Sequence, residues 1–285
     1  HLSRRNNPER LGAPQPDAPA PPPQATNTQT DIFSFINPTE FVDLPSKGEL
    51  YPEGHPAHGL DSIEIRHMTA KEEDILTSES LIKKGVALDR VVDSLIVDKR
   101  IKAANLLIGD KNALLIAARI TGFGSDYGVK ITCPVCTEQT DCSIDLNDLQ
   151  IKDLAPSEDY KSLPNGNYEI EFPQYNNLVI EVKLLRGADE RKLTQAREQR
   201  KKAKKEDSLI TDQLKAIIVR VMDITDPTLL KQFVEQCPTK ISREIRTKYE
   251  TIMPDVDMEI PFECSNCGYE SEVSMPLTAD FFWPG

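Results

Sequence analysis

Four cysteines carry the most specific chemistry this chain can do. Cys133 and Cys136 stand close together in "ITCPVCTEQTDCSI", and Cys264 and Cys267 repeat their spacing in "FECSNCGYESEV". Each pair is half of a metal site. Two such knuckles face to face offer four thiolates in a tetrahedron, the usual arrangement for structural zinc. Aligned on their first cysteines, the stretches share an apolar strand, C-x-x-C, a polar turn and a second strand, which is a weak internal repeat. Zinc ribbons usually hold their knuckles about 15 to 20 residues apart. Here 127 residues lie between Cys136 and Cys264.

A thioredoxin-like redox pair would need its C-x-x-C at a helix start in a βαβ context, whereas both pairs here lie between strand-like segments. The expectation is one structural zinc held by Cys133, Cys136, Cys264 and Cys267. Protein would fill all four positions, leaving none for a reactive water. Cys142, six residues beyond Cys136, is an alternative ligand, and Cys237 before Pro238 reads as a plain buried thiol. Thr137 stands where the second knuckle has Gly268, which sets the two knuckles apart geometrically.

Nothing else assembles a reactive set. The histidines fall at positions 1, 55, 58 and 67, and His55 and His58 share a turn without an acidic motif to complete a site. No nucleophile elbow, phosphate-binding loop or dinucleotide glycine pattern occurs. The expectation is a non-enzyme with no small-molecule substrate. A formal charge of −12 argues against general duplex binding, which rests on many Lys/Arg contacts. The exception is local: Arg191 to Lys205 carries eight basic residues, Lys201 and Lys202 among them, against the single acid Glu198. No window approaches the roughly 18 to 20 apolar residues of a membrane span. The first residues run into prolines, not into a signal-peptide core. Together these read as a soluble protein of a reducing compartment.

The elements that must position these residues read as α+β: a helical core, short antiparallel strands and a zinc-ribbon-like clasp built from two distant C-x-x-C knuckles. Residues 1–30, with seven prolines from Pro8 to Pro23, cannot bury enough surface to offset their ordering entropy and read as a disordered arm. Residues 31–285 read as a single body. Phe33 and Phe35 would anchor its first stretch on the body or on a neighbouring partner, and "LPSKGELYP" spells turns. Residues 63–67 alternate as a half-buried strand. Thr69 with Glu72 forms a capping box, and the helical pattern that follows breaks near Gly85. Asp110 would cap a central helix ending at Gly122 or Gly124, and its Arg119 would pair with an acid.

The clasp would join 129–146 to 258–275. Between them, 167–253 forms an excursion: strands at "NYEIEF" and "LVIEVKLL", then a long helix or helical hairpin bending near 206–208, with its basic part over 187–206. Two shorter helices follow, the first opened by Asp226 and Pro227. Phe281, Phe282 and Trp283 close the chain, either docked on the core or held out as an anchor for a partner.

In this order, "LPSKGELYP", "MTAKEEDIL", "LLIGDKNALLIAARITGFG", "CPVC" and "CSNCG…FFWP" resemble the T4-type phage baseplate protein family, from about Leu44 to Pro284. The resemblance implies a structural component of a contractile-tail baseplate, in the hub region, or a non-virion factor that assembles the hub. Its partners would be hub, spike or wedge subunits and copies of itself. Its place would be the virion, and the bacterial host cytoplasm during assembly. A reading of a different class stays open: a zinc-ribbon nucleic-acid binder using the basic run 191–205.

Overall fold

The computed structural model describes residues 37–152, 160–206, 208–275 and 277–283. The arm expected over 1–30, with Phe33 and Phe35, lies outside the described residues. From Thr39 onward the chain forms one compact unit.

Alternating Ile63 and Ile65 produce β2 (Ser62–Arg66), which pairs antiparallel with β1 (Thr39–Asp43). Helix α1 (Ala70–Thr77) opens on the expected device. The Glu72 carboxylate accepts from Thr69 N at 2.9 Å and from its hydroxyl at 2.7 Å. It also accepts from Arg66 at 2.5 Å and from the Ser94 hydroxyl at 2.6 Å, so a cap residue doubles as a buried tie. Helices α2 (Glu79–Lys83) and α3 (Ala87–Leu95) stand either side of Gly85.

Helix α4 (Ile108–Phe123) is apolar nearly all round and therefore central, with Leu114, Leu115, Ile116 and Ala118 buried. Two expectations about it need correction. Asp110 lies inside the first turn instead of capping it, and its fully buried carboxylate accepts from Ser46 N at 2.9 Å, Ser46 Oγ at 2.6 Å and Tyr51 Oη at 2.6 Å. The "LPSKGELYP" turns are thus pinned to the helix start, where the macrodipole favours a carboxylate. Arg119 is fully buried, and no acid pairs with it among the described residues. Its guanidinium donates to the backbone carbonyls of Phe281 at 3.1 Å, Asp126 at 3.2 Å and Gly124.

The second half centres on a four-stranded antiparallel sheet in the order β5 (Tyr160–Ser162), β6 (Tyr168–Phe172), β7 (Leu178–Val182), β8 (Ile218–Val221). Strand β8 falls where the sequence reads as helix. Ile218, Val219 and Val221 are β-branched, and pairing with β7 outweighs the helical pattern before them. Glu169 and Glu181 sit directly opposite one another, a repulsive pair that Arg220 on β8 bridges at 2.7 and 2.8 Å.

Helix α5 (Gly187–Lys202) ends four residues before the expected 206, and α6 (Leu209–Ile217) follows the bend. In α7 (Pro227–Gln236), Asp226 caps by accepting from Thr228 N and Leu229 N, both at 2.9 Å. Helix α8 (Thr239–Ile252) turns Ile245, Tyr249 and Ile252 into the core. Two glycines permit the closest crossings. A Cβ on Gly109 would stand 1.9 Å from the Pro254 carbonyl oxygen, and one on Gly187 would stand 2.2 Å from that of Ala103.

Candidate metal centre

Two hairpins build the centre. Strands β3 (Asp126–Thr132) and β4 (Gln139–Asp145) flank the first knuckle, and β9 (Glu259–Glu263) and β10 (Glu270–Ser274) flank the second. Because side chains alternate along a strand, each hairpin has one inward face. Ile131 and Cys142 from the first meet Phe262 and Val273 from the second, around the buried Cys133 and Cys264.

The knuckles fold alike. Cys133 N donates to Glu138 O at 2.8 Å and Thr137 N to Cys133 O at 3.0 Å; Cys264 N donates to Tyr269 O at 2.9 Å and Gly268 N to Cys264 O at 2.9 Å. The geometric difference expected from Thr137 is absent. Thr137 adopts φ +61° where Gly268 has +69°, and its hydroxyl donates to Cys136 O at 2.7 Å, a local bond that helps hold a conformation β-branched residues rarely adopt.

This symmetry brings four sulfurs together. The Sγ atoms of Cys133, Cys136, Cys264 and Cys267 all lie within 4.8 Å of one another. Cys133 and Cys267 are 3.6 Å apart, and Cys136 and Cys264 are 3.5 Å apart. A tetrahedral ion with Zn–S bonds of about 2.3 Å needs sulfurs roughly 3.8 Å apart, so the set fits such an ion closely.

The electrostatics point the same way. The backbone amides of Cys267 and Asn266 lower the Cys264 thiol to about 6. The Glu138 amide and the Asn266 side chain lower Cys136. For Cys267 the Tyr269 amide pulls downward, but loss of solvation together with the crowding sulfurs of Cys136, Cys133 and Cys264 pushes it up to about 12. Four thiolates this close need a cation between them. The amides that favour them, with Val135 N donating to Cys133 Sγ at 3.4 Å, come from knuckle geometry and carry no side-chain signal in the sequence.

The other candidates fall elsewhere. Cys142 lies on the clasp's inner face but outside the group of four. Cys237 is partly buried, and burial raises its pKa. His55 stacks on Tyr51 with ring centroids 4.5 Å apart, and His58 Nδ1 lies 2.6 Å from Tyr51 O; both serve the turn. Phe281 and Phe282 are buried in the body's own core, with Phe281 against Tyr127 at 5.1 Å and Trp283 against Phe123 at 5.5 Å. Of the two readings of these aromatics, docking on the core is the one their burial supports, because Arg119 holds the Phe281 carbonyl from beneath. Lys201 and Lys202 are exposed at the end of α5.

A known family pattern covers most of this chain: the model for the T4 bacteriophage base plate protein matches residues 37–283. The chain belongs to that family. No curated protein and no solved structure matches it. Both knuckles, the Asp110 keystone and the Arg119 tie of this baseplate protein fall inside the matched span. Among its described residues, no helix is long and apolar enough to cross a membrane.

Proposed function

We propose that this baseplate protein is a structural, non-catalytic component of the hub region of a contractile tail, carried in the virion and assembled in the host cytoplasm. One zinc ion, held by Cys133, Cys136, Cys264 and Cys267, braces the body. An arm over residues 1–30 and exposed basic residues, Lys201 and Lys202 among them, engage neighbouring hub, spike or wedge subunits. The observation that carries this reading is the meeting of four sulfurs from two identically folded knuckles, far apart in sequence.

When bound, zinc supplies a closed tetrathiolate centre, and the chain's own part is to hold it. Knuckle amides stabilise the thiolates, Phe262 and Val273 keep water from the inner side, and the hairpins fix the ligand spacing. With no open position, the centre has a mechanical role. It fastens the middle of the chain to its end, so that the excursion 167–253 leaves and returns to one fixed place.

The test has two measurements. Elemental analysis of protein purified without chelator should give one zinc per chain, and purified phage particles probed with an antibody should contain the chain. Metal-free protein refutes the zinc brace. Absence from particles refutes the virion role and leaves the assembly factor.

A further inference from the structure

Helix α5 divides along its length. Its N-terminal half is tied into the body. Arg191 meets Asp89 at 2.5 Å, and Lys111, buried between α3 and α5, meets Asp89 at 3.0 Å and also Glu190. Arg200 is consumed by Asp212. Beyond these, Arg197, Lys201, Lys204 and Lys205 are exposed and make no ion pair among the described residues. They line one open groove together with Thr194, Glu198 and Glu206, four basic residues against two acids. Arg197 and Lys201, at i and i+4, share one face of α5, and Lys204 and Lys205 follow in the turn beyond its end at Lys202.

The clasp presents the opposite charge. The outer face of β9–β10 carries Glu259, Glu263, Glu270 and Glu272, all exposed and without an ion pair among the described residues. Glu263 and Glu270 are directly opposite in the register, a placement that disfavours the hairpin. The sister hairpin differs: its outer face includes Lys130, 3.9 Å from Asp141.

We infer that the basic groove at the end of α5 docks the acidic outer face of β9–β10 of a second copy of this chain. The chain carries its own complement: an acidic body, one basic stripe, and an uncompensated carboxylate face. Because the two patches differ, the contact is heterologous and builds a ring or an open chain, unless two such contacts close a pair. This deepens the proposed function by naming one neighbour and the surface it meets, and it rests on that reading only for its biological setting.

Light scattering on the full chain, purified without chelator, tests it. The wild type is expected to associate at about 50 mM salt and to dissociate at about 500 mM, where the Debye length is only a few ångströms. K201E/K204E/K205E and, separately, E259K/E272K should each weaken association at least tenfold. An equimolar mixture of the two variants should recover it, because a reversed stripe then meets a reversed face. The second variant spares Glu263, the neighbour of Cys264, and circular dichroism confirms that both variants fold. A wild type monomeric at about 100 μM overturns the proposal, as does association indifferent to either reversal or a mixture that fails to recover. Retention on single-stranded DNA without self-association overturns it in favour of nucleic acid. A chain that never self-associates yet is present in particles leaves the proposed function standing, so the two failures are distinguishable.

Discussion

Around α4 the body encloses a large apolar cluster, from Leu44 and Ile65 through Leu114 to Phe282, whereas the clasp encloses only Cys133, Phe262 and Cys264. The body can fold on buried apolar area alone, at about 25 cal/mol per Å². The clasp cannot, because two-stranded hairpins are at best marginal in water and the cluster between its hairpins centres on Cys133 and Cys264, whose sulfurs repel one another when ionised. Apolar burial stabilises one region, and the other calls for an ion. The polar groups differ in the same sense. Buried polar groups in the body are satisfied within it, Glu72 by Arg66 and Asp110 by Ser46 and Tyr51, while among the described residues no cation pairs with the thiols of the clasp.

The comparison breaks most sharply if the clasp stands without metal. Replacing Cys264 and Cys267 by Ser removes half the ligands, and structural zinc contributes on the order of 10 kcal/mol to folding in small domains. Zinc content should fall to none, and hydrogen exchange should accelerate across 127–145 and 259–274 while 113–118 in α4 stays protected. Equal protection in both regions would show that the clasp folds on its own.

A smaller effect is expected at the seam. Arg119→Met leaves the Phe281 carbonyl, which is buried, and the part-buried carbonyls of Gly124 and Asp126 short of a donor, at a cost of about 1 to 3 kcal/mol. The loss should appear as a lowered Tm and as protease cleavage near Phe281. Arg119→Lys should recover little, since an ammonium cannot reproduce the planar fork. An unchanged Tm in the Met variant would mean that the aromatics hold the C-terminal segment unaided.

Acid should weaken the body through Glu72. Burial raises its pKa, but bonds from Arg66, Ser94 and Thr69 outweigh that and bring it to about 2, against 4.5 for the free side chain. Its folded pKa is depressed, so the stability it contributes is present above about pH 4.5 and is lost as pH falls toward 2. That loss amounts to roughly 3 kcal/mol. Asp110 works in the opposite sense, because burial raises its pKa above the usual carboxylate value. Its contribution therefore improves as pH falls through the folded pKa. Glu72→Gln should flatten the acid limb of a denaturant titration, and an unaltered limb would rule out this tie.

The smallest change is expected on the carboxylate face. Glu270→Gln removes one of two opposed charges and should stabilise the fold by about 0.2 to 0.5 kcal/mol, read as a slight rise in Tm. A drop would mean that Glu270 makes a favourable contact within the fold.

How legible these features were in sequence depends on distance along the chain. The capping box at Thr69 and Glu72, the cap at Asp226 with Pro227, and the break at Gly85 are governed by residues within a turn of each other, and each reads directly. The knuckles also read directly, since C-x-x-C is a local motif and its repetition is rare. Asp110 was misread as a cap because its partners, Ser46 and Tyr51, lie about 60 residues upstream. Arg119 was misread because an arginine satisfied by carbonyls has no acidic residue to search for. Strand β8 was misread because its pairing edge on β7 appears only once the sheet has formed.

By itself, then, the sequence determined the local devices, the α+β composition, the family and the four metal-ligand candidates, all set by short-range sterics, hydrogen bonding and ligand spacing. The tertiary structure alone decided that the two knuckles are superposable and close enough to share an ion. It also decided that the closing aromatics turn inward, and that one end of a basic helix stays exposed while the other is neutralised. These outcomes depend on which distant surfaces meet, and that follows from how the whole core packs.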